Sequence, residues 1–257
     1  MIIIDSHLHL DDRVDGTALG AANELDRQLA DSGIERAIVL QLETQSWAAE
    51  DVAEAISKYP RLKGFINVNP YGDDHLRTLR DGIEKLGYVG LKLHPRLQKF
   101  ELDDQRTVRL VQQAGEMNVP VLIDAFPDGS HLMQDFSPLK YADLASKCSK
   151  TRIVWAHMGG HHVLDFMMLA KRLPNVYFDF SYSLLYYQGS SVPDDMVYAM
   201  RSMRFERIFY GSDYPDRTIP ISLNATLDYL NSKGLDKEEL EKIMGQNANQ
   251  FFGWSNL

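Results

Sequence analysis

The sequence predicts a single-domain α/β protein, a (β/α)8 TIM barrel spanning residues 1–257, and three observations carry that expectation. The length of 257 residues matches one eight-fold barrel, typically about 250 residues. Short β-branched runs alternate with longer amphipathic segments eight times over. No glycine-rich phosphate turn follows the first apolar run, which disfavours an open doubly wound sheet.

The expected strands are residues 2–10, 36–42, 62–69, 88–94, 120–126, 152–158, 176–182 and 207–213. Ile2-Ile3-Ile4 opens the first and Ala37-Ile38-Val39-Leu40 fills the second. Phe65-Ile66 marks the third, and Leu91 and Leu93 alternate with polar residues in the fourth. Val121-Leu122-Ile123, Ile153-Val154-Trp155, Val176-Tyr177-Phe178 and Ile208-Phe209-Tyr210 supply the remaining four. Helical patterns lie at 21–31, 48–59, 74–86, 103–117, 139–146, 163–172, 194–203 and 219–231, with a last one at 237–244. Strict alternation of this kind means parallel strands joined by crossover helices. No linker, low-complexity segment or charge block divides the chain.

Hydrophobic residues at 44% and charged residues at 25% are ordinary for a globular protein. The net charge of −9 argues against a nucleic-acid partner, which would want a basic face for phosphates. Cys148 stands alone, so no disulfide forms within the chain, and a reducing cytoplasm is the expected location. Its setting, Lys-Cys-Ser-Lys, suggests a structural or surface thiol rather than a nucleophile. The first residues turn polar too soon for a signal peptide. No stretch reaches the roughly 18 apolar residues of a membrane span. The expected partner is a small molecule, and a homo-oligomer stays open.

The functional face of a barrel is the C-terminal end of its strands, and the polar residues gather there. The first strand ends Asp5-Ser6-His7-Leu8-His9, and strict alternation puts Asp5, His7 and His9 on one face. Two imidazoles two positions apart can converge on one metal ion. The eighth ends Tyr210-Gly211-Ser212-Asp213, which brings Asp213 beside His7 and His9 when the barrel closes. The sixth ends Trp155-Ala156-His157-Met158-Gly159-Gly160, with glycines that let the backbone approach a ligand. His161 and His162 read as polar helix-start residues.

The fourth strand reads Gly90-Leu91-Lys92-Leu93-His94-Pro95. Lys92 and His94 share its inner face, and an inward lysine is costly unless it meets an anion. That anion is Asp124, a substrate carboxylate, or a carboxylate formed on the lysine itself to bridge two metals. His94 is either site lining or structural. Asp124 ends the apolar fifth strand, where a metal or Lys92 would offset the cost of burying its charge. Arg96 and Arg217 fall near strand ends, placed to hold an anionic substrate or simply solvated. The aromatic loop after the seventh strand, residues 181–189, either walls the mouth or packs on the last barrel helix.

Together these strings resemble the amidohydrolase superfamily, and within it the "amidohydrolase 2" branch of lactone and amide hydrolases and non-oxidative decarboxylases. The resemblance rests on Ile4-Asp5-Ser6-His7-Leu8-His9, Gly90-Leu91-Lys92-Leu93-His94-Pro95, Ala156-His157-Met158-Gly159-Gly160 and Gly211-Ser212-Asp213-Tyr214-Pro215, in that order. It implies that His7, His9 and Asp213 bind one divalent metal, Zn or Mn, and that His157 is an acid/base or carbonyl polariser. Asp124 departs from the pattern, standing where the branch has a histidine. Aspartate oxygen also ligates zinc and manganese, so the expected metal set is His7, His9, Asp124 and Asp213. Asp213 doubles as the proton acceptor for water. Lys92, His94, Arg96 and Arg217 are the candidate substrate-binding residues.

The function expected on this basis is metal-dependent hydrolysis of a small carboxylate-bearing ester, lactone or amide. Non-oxidative decarboxylation of an aromatic or enoic acid on the same ligands is the alternative. A resemblance to TatD-like nucleases is weaker, because that group would want a glutamate where Lys92 and His94 stand. A ligand-binding barrel without catalysis is the reading from another class.

Overall fold

The computed structural model describes residues 1–133 and 135–254. Eight strands run in parallel, each paired with the next in chain order. They are β1 (Ile4–Leu8), β2 (Arg36–Leu40), β3 (Leu62–Asn67) and β4 (Gly90–Leu93), then β5 (Val121–Ile123), β6 (Ile153–Trp155), β7 (Val176–Asp179) and β8 (Ile208–Phe209). Backbone bonds from Ser6 N to Tyr210 O (2.9 Å), Asp213 N to His7 O (2.8 Å) and His9 N to Tyr214 O (2.8 Å) close the ring. Gly211 permits that approach, since a Cβ there would lie 2.7 Å from the Cβ of His7. The barrel is therefore the predicted (β/α)8 architecture.

Strand alternation separates two apolar layers. Ile38 and Leu40 of β2, Leu122 of β5 and Val154 of β6 point inward, and Ala37, Val39, Val121, Ile123, Ile153 and Trp155 face the helices. Each fully buried side chain of this size contributes about 1.5–3 kcal/mol relative to leaving it exposed. The inner layer continues into the helix Asn247–Phe252, whose Ala248 and Phe251 plug the N-terminal end against Ile4 and Phe209. That leaves the opposite end open.

Several strands are shorter than the sequence suggests, and they shorten at the open end. β5, β6 and β8 stop before Asp124, His157 and Asp213. Asp213 (φ 55°) and His157 (φ 61°) have left-handed backbone, which cannot continue a ladder. β1 also departs from strict alternation. Ile4 packs inside and Leu8 outside, a change of parity absorbed by a register irregularity between Asp5 and Leu8. His7 and His9 thus share the inner side, and Asp5 is freed for a different task.

Cys148 is buried, and burial raises its thiol pKa to about 12, so it is a structural thiol. No described helix is long and apolar enough to cross a membrane.

Candidate active site

The site is built from the ends of β1, β4, β5, β6, β7 and β8. His7 Nδ1 lies 3.0 Å from Asp179 Oδ2, and His9 Nδ1 lies 2.7 Å from the carbonyl oxygen of Leu40. Both acceptors require an N–H, so each ring carries a proton on Nδ1 and turns Nε2 toward the cluster. The two Nε2 atoms each lie 3.3 Å from Asp213 Oδ1. His7, His9 and Asp213 offer three ligand atoms within 4.8 Å of one another. Asp5 supports this cluster from behind: its Oδ1 accepts the backbone N–H groups of His7 (3.1 Å) and Ser212 (3.0 Å), tying β1 to β8.

Asp179 is a residue that the sequence reading missed. It is fully buried, and its Oδ1 accepts from the backbone of His157 and of Ser181, each at 3.1 Å, and from the Ser181 hydroxyl. Its other oxygen holds His7, so one carboxylate orients elements of both β1 and β6. A signal was present: a carboxylate between Phe178 and Phe180 at a strand's C-terminal end. His157 in turn donates from Nδ1 to the Ser181 carbonyl (3.0 Å), with Nε2 turned toward Asp124. Four successive left-handed residues, His157 to Gly160, make this turn, and a Cβ at Gly159 would collide with Phe166.

Asp124 stands across the site. Its Oδ2 is 3.2 Å from His94 Nε2 and 3.8 Å from His157 Nε2, and its Oδ1 accepts from Phe126 N at 3.1 Å. His94 Nδ1 accepts from Leu97 N, so its proton sits on Nε2 and is donated to Asp124. The ion pair expected as one option between Asp124 and Lys92 is absent. Lys92 is 1% exposed, and among the described residues its ammonium makes no ion pair or hydrogen bond.

Burial and charge set the protonation of these groups. Burial lowers His7 to about 4 against the pull of Asp179, and lowers His94 to about 3 against Asp124. Burial alone would raise Asp213, but His7, His9 and His157 outweigh it and hold that carboxyl well below the usual range. Asp124 is likewise held low by His94, His157 and Lys92 despite burial, and Asp179, held by His7, falls to about 2. Burial depresses Lys92, with Asp124, Asp179 and Asp213 opposing. His7 and His9, each with an orienting partner behind it, face an ionised carboxylate, an arrangement that could hold a metal ion.

The cavity over this floor has a volume of about 370 Å³. His7, His9, Lys92, His94, Asp124, His157 and Asp213 all line it, and so does Arg96, which pairs with Asp128 at 2.6 Å. Arg217 stands aside: it pairs with Asp216 at 2.8 Å, and Asp216 is the one that reaches the lining. The loop after β7 walls the mouth, Tyr182 and Tyr186 lining the cavity with Phe126. His161 and His162 lie outside it, bonded to Tyr187 and Asp165. A larger groove of about 590 Å³ lies at the opposite end. Its Arg152 and Arg207 bind backbone carbonyls, so it lacks comparable chemistry.

The comparison with known families identifies the barrel as an amidohydrolase-type enzyme. The family model described as Amidohydrolase matches residues 4–254, and the chain belongs to that family. A search of curated proteins gives no match. Among solved structures, an uncharacterised TIM-barrel protein from Bordetella bronchiseptica is similar over 100% of both chains, with a TM-score of 0.79 and 17% identity. A probable 2-pyrone-4,6-dicarboxylic acid hydrolase from Acinetobacter baumannii, with citric acid bound, gives 0.73 and 18%, covering 98% of this chain and 100% of the other. An amidohydrolase from Burkholderia multivorans with bound zinc gives 0.72 and 14%, covering 98% and 99%. At these identities the three establish likeness of fold.

Proposed function

We propose that the protein is a metal-dependent hydrolase of a small ester, lactone or amide that carries a carboxylate. The observation behind this reading is the convergence of His7 Nε2, His9 Nε2 and Asp213 Oδ1 beside His157 in one open cavity. Both imidazoles are fixed from behind with Nε2 forward, so the donors fit one divalent ion, Zn or Mn. When bound, such an ion supplies Lewis acidity toward water and a carbonyl group.

The chain's own groups supply the rest. Asp213 is ionised and takes the proton from the attacking water, then returns it to the leaving group. His157 presents Nε2 to the cavity, and its protonated form donates to the oxygen that gains charge. Lys92 and Arg96 attract the substrate's carboxylate. Arg217, paired with Asp216 and outside the lining, has at most a secondary part in this. Asp124 is either the fourth ligand or the carboxylate that, steadied by His94, faces His157.

The test is elemental analysis joined to a screen of esters, lactones and amides. Protein purified without chelator should hold about one equivalent of Zn or Mn. Removal of the metal should abolish hydrolysis and its return restore it. Full activity in rigorously metal-free protein would refute the reading.

One observation favours a second reading, decarboxylation of an aromatic acid. Phe126, Tyr182 and Tyr186 line the cavity together as an aromatic wall. A similar protein whose name specifies a pyrone dicarboxylate hydrolase supports the hydrolytic reading for substrates of comparable shape.

A further inference from the structure

We infer that the outward face of the helix Val163–Ala170 is a docking surface for a second copy of this chain, paired about a two-fold axis that passes beside Met168. This face lies outside the cavity, and the inference holds whichever reaction the protein performs.

The first support is the composition of the helix. It reads Val-Leu-Asp-Phe-Met-Met-Leu-Ala, and only Asp165 is polar. A helix on the outside of a barrel buries one apolar stripe and turns polar residues to water, whereas a helix that is apolar all round belongs in an interior. Val163, Phe166, Met167 and Ala170 supply the buried stripe. Leu164 and Met168, one turn apart on the outward side, stay 41% and 60% exposed.

The second support is that the apolar surface continues onto the neighbouring helix Val192–Ser202. Lys171 Nζ donates to Ser202 Oγ at 2.5 Å, which sets the C-terminal ends of the two helices side by side. Tyr198 lies one turn back from Ser202 on the same stripe and is 59% exposed, so it extends the patch beside the first helix.

The third support is that the face is complementary in charge to itself. Asp165 stands about 4.5 Å along the helix axis before Met168, and Lys171 stands about 4.5 Å after it, with Arg172 next. Two such faces laid antiparallel about Met168 bring Asp165 of each copy opposite the partner's Lys171. The same pairing lays the aliphatic stem of each Arg172 over the partner's Leu164. Within their own chain these charges are weakly engaged. Asp165 meets His162 at 3.3 Å, Lys171 meets a hydroxyl, and among the described residues Arg172 forms no ion pair. The helix dipole alone favours an acid in the first turn and bases in the last, but it gives no reason for exposed Leu164 and Met168 between them.

A contact centred on one eight-residue helix falls at the small end of specific interfaces, so the dimer should dissociate with a constant of about 1–100 µM. Sedimentation velocity on the full chain, over a concentration series spanning that range, should show monomer passing to dimer. Met168→Asp sets two carboxylates face to face on the axis and should raise the dissociation constant at least about 10-fold. Asp165→Lys should raise it about 3–10-fold, and adding Lys171→Glu and Arg172→Glu to that variant should restore it. Met168→Cys should give a disulfide-linked dimer on mild oxidation, because that residue meets its own copy, while the native Cys148 is buried. Melting curves confirm that each variant is folded. A wild type that stays monomeric throughout leaves the face to a different partner and overturns the inference. So does a dimer indifferent to Met168→Asp, or a charge swap that fails to repair the Asp165→Lys loss.

Discussion

Asp179 accepts the Nδ1 proton of His7 at 3.0 Å, and this bond decides which nitrogen of His7 faces the cluster with His9 and Asp213. Asp179→Asn preserves shape but offers either an amide oxygen or an amide N–H in place of the anion. The expected result is a metal dissociation constant about 10–100-fold higher, the usual cost of losing an orienting partner. Turnover should fall as well, because the same carboxylate holds the backbone of His157. Competition with a chromophoric chelator measures the first effect. Unchanged affinity would show that Asp179 is only a packing residue.

The sequence made the strand count, the chain order and the gathering of His7, His9, His157 and Asp213 legible, because β-branched runs and polar strand ends are local signals. It did not reveal Asp179, whose importance comes from a contact 172 residues away. It also could not distinguish a Lys92–Asp124 pair from a His94–Asp124 pair. Both partners sit on the inner side of β4, and side-chain reach decides between them. Alternation likewise grouped Asp5 with the histidines, but the irregularity in β1 gives Asp5 to the backbone of β8 instead.

His157→Ala should leave metal content near normal and lower kcat by about 10²–10⁴-fold, the range for a lost acid/base group. Its Nδ1 is committed to Ser181 and its Nε2 faces Asp124, so it stands outside the cluster of His7, His9 and Asp213. Elemental analysis alongside steady-state rates checks both halves. Loss of the metal would make His157 a ligand.

Two buried groups should give the metal-free protein opposing pH dependences. Burial lowers His7 from 6.5 to about 4, so its contribution is present above pH 6.5 and is lost as pH falls through about 4. Asp5 runs the other way. Burial raises it from 3.8 to about 7, so its contribution is present below pH 3.8 and is lost as pH rises through about 7. Asp5→Asn keeps an oxygen for His7 N and Ser212 N and removes that titration. Melting temperatures of chelated wild type and variant, from about pH 6 to about pH 8, should therefore diverge in favour of the variant. Parallel curves would mean that Asp5 does not titrate there.

Asp124→Asn separates ligand from partner. If Asp124 completes the metal set, the variant binds metal more weakly while its chelated form melts like chelated wild type. If it serves mainly His94, metal affinity holds and the chelated variant melts lower. Weakening a buried hydrogen bond to a charged group of this kind costs about 1.5–3 kcal/mol. The geometry at 3.2 Å from His94 favours the second outcome.

Reaction type follows from what a shared ligand set is asked to do. Hydrolysis needs a base for water and an acid for the leaving group, and Asp213 next to His7 and His9 can serve both in turn. Decarboxylation needs an electron sink in the substrate and a proton donor aimed at the carbon left behind. The aromatic wall suits the sink, and His157 beside Phe126 is placed as a donor. Hydrolysis remains the expected outcome, because a substrate carboxylate attracted by Lys92, as proposed above, would give up that attraction on leaving as neutral CO2. The measurement is a single reaction in ¹⁸O-labelled water on the substrate a screen finds. Label in a product carboxylate is the predicted result. Release of CO2, with solvent deuterium incorporated at the vacated carbon in a parallel run, would assign the same residues to decarboxylation instead.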